Sequence, residues 1–180
     1  MAFGAVAFLV AYSAGATFNM SKKEAEDLKG QFAKQIVRID QNGIFNNNVK
    51  VALIMFIPGI GTGIGIFSGF STGMVFSAMA ETSPSLNHVP PLIVLLTPFG
   101  IMEVFAYGLA MSRGGMLIML IYQLAKKKPW REYTIHTLIE IGIVVVVEIG
   151  IVVVVLFAGA VIEWQLIQQF SRLSNNRPIV

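Results

Sequence analysis

Three carboxylates stand in apolar surroundings in this chain: Glu103, Glu140 and Glu148. An ionisable group inside a bilayer is costly, so each needs a partner or a task. Glu103 follows Pro98 and Gly100 closely, where the free amides of a new helix point towards it. A carboxylate there can cap the helix and stabilise broken backbone. A proton or ion relay through Glu103 is the other use, but Lys, Arg and His partners are lacking inside the spans. Glu140 lies four residues after His136, near one end of its apolar run, and either reaches water or pairs with that histidine. Glu148 is near the middle of the same run. Eight residues at about 100° each leave it roughly 80° round from Glu140, so the two need not share a partner. It is either a protonated carboxyl bonded to a neighbouring helix or a functional group. Arg113, ten residues beyond Glu103, reads as a snorkelling interface residue.

Other chemistry has little to build on. The chain has no cysteine, which excludes thiolate metal sites and disulfides. Its two histidines, His88 and His136, fall in separate loops without a second ligand four residues on. No nucleophile elbow, phosphate loop or dinucleotide fingerprint is present. The sequence therefore predicts no catalytic residue, no metal and no cofactor. A net charge of +3 is too small, and too interrupted by apolar runs, to suggest nucleic acid.

The elements that must position these groups follow from composition. The 180 residues are 55% hydrophobic and only 13% charged, about half the charge of a soluble domain. The reading is an all-α, multi-pass transmembrane helical bundle with the lipid bilayer as its first partner. About five spans are expected, at residues 1–20, 49–67, 69–81, 92–125 and 137–164. The first reads as an uncleaved membrane helix, although Ala14-Gly15-Ala16 resembles a cleavage site. The fourth is expected to break at Pro98–Gly100 and to be re-entrant, because proline and glycine so close together interrupt a helix. Gly114-Gly115 adds a possible second bend.

Between the first two spans, residues 21–39 form an amphipathic helix. Ser21 and Glu24 make a capping box, and Ala25, Leu28, Phe32 and Ile36 recur at helical spacing. That stripe, above all Leu28, Phe32 and Ile36, is a candidate docking face. Residues 40–48, with Asn42-Gly43 and three asparagines, read as a turn. Gly61, Gly65, Gly69 and Gly73 then fall every fourth residue, a small-residue stripe of the kind that lets membrane helices approach closely. Two helices are expected to meet near residues 65–71. Within 137–164 the octad EIGIVVVV occurs twice in succession, as low complexity. Residues 171–180 form a polar tail.

The segment FNNNVKVALIMFIPGIGTGIGIFSGFSTGMVFSAMA, followed by TPFGIMEVFAYGLAMSRGG, resembles the stage II sporulation protein M family. Asn48, Gly59, Gly63, Gly73, Pro98, Gly100, Glu103, Ala106, Ala110 and Gly114 fall on that family's pattern, over roughly residues 44–125. The family's motif histidine is Phe99 here, which removes any imidazole-dependent role and favours a structural reading of Pro98–Glu103. The resemblance implies a helical multi-pass membrane protein without known catalysis. In spore-formers the family anchors a peptidoglycan-remodelling assembly, and relatives occur widely outside them.

The sequence reading is thus a non-catalytic cell-membrane scaffold or accessory subunit, assembling with other membrane subunits or with itself. The rival is a transport component using the broken helix and Glu103. The basic loop Lys126–Arg131 marks the cytoplasmic side, which places residues 21–48 outside.

Overall fold

The computed structural model describes residues 1–35, 40–82, 90–126 and 135–175, with side chains described to residue 31 in the first stretch and over 138–169 in the last. Within them every regular element is helical: α1 (Ala2–Ala16), α2 (Lys22–Gln35), α3 (Gln41–Met55), α4 (Gly61–Thr82), a short 3-10 helix (Pro91–Leu96), α5 (Pro98–Lys126) and α6 (Ile135–Asn175).

Among the described residues, three helical segments, not five, are long and apolar enough to cross a membrane: Gly61–Thr82, Pro98–Lys126 and Leu138–Gln169. α1 and α3 have 15 residues each. At 1.5 Å per residue they are about 22 Å long, short of a hydrocarbon core of roughly 30 Å.

The breaks also fall elsewhere than expected. Residues 41–48 are the first half of α3, because Asp40 caps it by accepting from the Gly43 N–H at 2.7 Å. α3 and α4 separate around Pro58-Gly59, not at residues 65–71. Proline supplies no N–H and Gly59 takes a left-handed φ of 86°. The break before α5 lies at Thr97. The Thr97 hydroxyl donates to the Val94 carbonyl (2.6 Å) and accepts from the Gly100 N–H (3.1 Å). Pro98 is therefore the first helical residue of α5, where its missing N–H is harmless. No second bend occurs at Gly114-Gly115, and α6 continues through residues 171–175 of the expected tail.

α1 is held between α4 and α5. Phe8 lies against Gly69, and the backbone around Tyr12 lies against Gly73; a Cβ on either glycine would run into α1 backbone. The four-residue glycine stripe is thus spent inside the chain: Gly61 meets Met55, Gly65 meets Met111, and Gly69 and Gly73 meet α1. Gly63 faces open space. On the other side of α1, Ser112 of α5 accepts from the Gly4 N–H at 3.0 Å and donates to the Met1 carbonyl at 3.1 Å. α1 has no side-chain cap of its own, so this buried serine satisfies its first turn.

α2 packs on α4, with Ala25 fully buried and Leu28 partly so. Its capping box forms as expected: the Ser21 N–H and hydroxyl donate to Glu24 Oε2 at 2.8 and 2.7 Å. The Phe32 side chain and Ile36 lie outside the described residues, as do residues 127–131 of the basic loop.

Candidate functional site

α5 and α6 run antiparallel. Near one end, Met102 and Phe99 of α5 lie against Gly159; further along, Arg113 meets Glu148. The face of α6 turned to α5 and α3 carries Glu148, Val152, Leu156, Ala160 and Glu163, at three- to four-residue spacing, with the three apolar members buried. Acids therefore sit at both ends of one apolar stripe.

At one end, Arg113 Nε and Nη2 donate to the two oxygens of Glu148 in a fork-to-fork pair. Both side chains are only about a fifth exposed. Arg113 falls near the middle of α5 and reaches across to α6, where its guanidinium offers the Glu148 carboxylate two aligned donors. Glu140 is exposed, eight residues away on α6. The side chain of His136 lies outside the described residues, and so does that proposed pairing.

At the other end, Asn48 of α3 donates its amide to Glu103 Oε1 at 2.6 Å. Glu103 does not cap α5, since Thr97 already performs that task; it bridges α5 to α3. Phe45 of α3 stacks edge-on against Phe157 of α6 (centroids 5.4 Å apart), which fixes α3 over the α5–α6 seam. Glu163 of α6 and the tyrosines Tyr12 and Tyr107 all lie within electrostatic range of Glu103. Tyr107 follows Glu103 by one helical turn and is 4% exposed, its ring 5.2 Å from that of Phe8. The Tyr12 hydroxyl donates to the Pro91 carbonyl at 2.8 Å, tying α1 to the 3-10 helix.

Several expected residues are thereby brought together. Asn48 and Glu103, 55 positions apart, are in direct contact. Gly59 and Gly114 both serve the α3–α4 turn: Gly59 packs against Ile118, and a Cβ at Gly114 would strike the Met55 carbonyl. Gly100 allows Val94 to fold back on the start of α5. Gly63 joins nothing. Glu163 and the pairing role of Arg113 were missed. The signal for both was the i, i+4 stripe of α6, which carries an acid at each end and leaves one acid needing a base.

No curated protein and no solved structure matches the chain. The family model described as stage II sporulation protein M matches residues 1–164, which spans both polar stations and nearly all of the described helices. The chain belongs to the stage II sporulation protein M family.

Proposed function

We propose that this protein is a non-catalytic, multi-pass subunit of a cell-membrane assembly. The observation that carries the reading is the mismatch between its helices. The glycine stripe of α4 is filled by the chain's own α1, α3 and α5, whereas α6, the most apolar helix, leaves most of its surface uncovered. Ile143, Val146, Val147 and Val154 all face outward, and Gly142 and Gly150 meet no neighbour. Lipid alone can cover such a surface, but bare glycines on a spanning helix also admit close approach by another helix.

Antiparallel packing supports an orientation too. The start of α1 and the end of α5 lie towards one side of the bundle, and α2 lies towards the other. With the 126–131 loop inside, α2 is external. Purification in mild detergent and in nanodiscs, followed by mass measurement, tests the assembly: a species larger than one chain is expected, and a lone monomer in every medium overturns it. Disulfide trapping through a cysteine introduced at Gly150 should join chains or partners, while one at Gly69 should not.

A second reading, a permease-like component, draws on the Asn48–Glu103 contact beside Glu163, next to a broken helix of the kind transporters use. Flux into liposomes that disappears with Glu103→Gln would favour it; its absence from the unmodified protein would remove it.

A further inference from the structure

We propose that the apolar groove between α1, the 3-10 helix and the start of α5 holds one acyl chain of a membrane phospholipid. The groove has a volume of about 430 Å³ and is lined by Leu9, Leu92, Leu95, Leu96, Ile101 and Val104. All six are aliphatic, so the lining offers neither charge nor a side-chain hydrogen bond. The six residues of the 3-10 helix, PLIVLL, are wholly apolar, yet none of them is buried. Packing alone therefore does not hold this element in place. Polar ties secure both of its ends: the Pro91 carbonyl accepts from the Tyr12 hydroxyl, and Thr97 bonds Val94 and Gly100. Between these ties the segment stands off from α1 and α5 and leaves the groove. Apolar side chains gain nothing from standing open to water, and hydrocarbon is the cover that suits them.

Position identifies that cover. Ile101 and Val104 belong to the first two turns of α5, a helix long and apolar enough to cross a membrane. Leu96 and Ile101 at the rim are exposed, and so is Phe105 one turn further along α5. The groove is thus continuous with the surface that α5 turns to lipid. Shape narrows the occupant further. A stable protein interface takes about 20–30 residues a side, and an α-helix with its side chains is about 10 Å across. Six lining residues from three elements make a slot for something thinner. A lipid tail is slender, flexible and wholly apolar, and it surrounds a spanning helix at this depth. Nothing in the lining selects a headgroup, so the groove takes phospholipids by their tails. The inference rests on the membrane setting and is independent of whether the protein is an assembly subunit or a permease.

The full chain in nanodiscs of phosphatidylcholine, and separately of phosphatidylglycerol, is moved through detergents of increasing strength and weighed by native mass spectrometry. One phospholipid per chain should persist after the surrounding lipid is stripped, equally from both nanodisc types. Val104→Phe, which fills the groove, should lower that retention by about tenfold, as for the loss of roughly two buried methylene groups. Leu92→Phe, from the exposed rim, crowds the same groove without entering the core, and carries the test if Val104→Phe fails to fold. Val154→Phe, on the open face of α6, should leave retention unchanged. The proposal is overturned if no phospholipid persists, if Leu92→Phe retains it as well as the unmodified chain, if Val154→Phe loses it equally, or if phosphatidylglycerol alone is kept.

Discussion

The two polar stations on the α5–α6 seam solve the same problem in different ways. At Arg113–Glu148 each charge meets its opposite through two aligned hydrogen bonds, and nothing further is needed. At Glu103 the only direct donor among the described residues is the Asn48 amide. The first is complete within the chain and fits a fastening between two long helices. The second rests on a single hydrogen bond between α3 and α5. The comparison teaches that carboxylates in apolar surroundings are told apart by the partners they meet.

The largest effect should come from breaking the complete station. Arg113→Leu strands Glu148 and should lower stability by about 3 kcal/mol or more, measured by unfolding in mixed micelles. Adding Glu148→Leu should restore much of that loss, because a matched apolar pair removes the stranded charge. If the double variant is no better than the single, the station is more than a fastening. Next, Asn48→Ala removes the one direct donor to Glu103 and should cost about 1.5–3 kcal/mol, with α3 exchanging amide hydrogens faster than α5.

A smaller effect sharpens the contrast. Glu163→Gln should change stability by no more than about 0.5 kcal/mol, since Glu163 makes no hydrogen bond to a described residue. A loss as large as that of Arg113→Leu would make the two stations alike. The smallest effect lies off the seam. Hydrogen bonds from Ser21 hold the Glu24 carboxyl below its ordinary value of 4.5. A carboxyl with a lowered folded-state value stabilises the helix above the unfolded value and loses that support as pH falls through the folded one. Helicity of α2 should therefore decline in acid below about pH 4.5, and Ser21→Ala should flatten that decline, as followed by amide exchange.

Much of the local structure was legible in advance. The capping box of α2 and the helical phase that buries Ala25 and half-buries Leu28 follow from spacing. So does the interruption before α5, although its seat is Thr97 and not Pro98–Gly100: proline prefers the first position of a helix, and the residue before it takes the cap. Span count was overestimated because apolar length in sequence does not reveal where a helix stops. Val49 to Met79 reads as continuous hydrophobic material, and only the left-handed turn at Gly59 divides it into a short α3 and a spanning α4. Similarly, Asn42-Gly43 looks like a turn, yet Asp40 caps a helix that runs through it.

What the sequence by itself determined was the apolar composition that fits a membrane, the helical class and the small-residue stripe, all consequences of composition and of short periods, and, through its motifs, the resemblance to the family. Tertiary structure alone decided what those features meet. The stripe of α4 receives α1, α3 and α5 because helix direction and register set which backbones approach. Arg113 finds Glu148 across 35 positions, and Glu103 finds Asn48 across 55. Such pairings depend on how α3, α5 and α6 are aligned, and no local pattern carries that alignment.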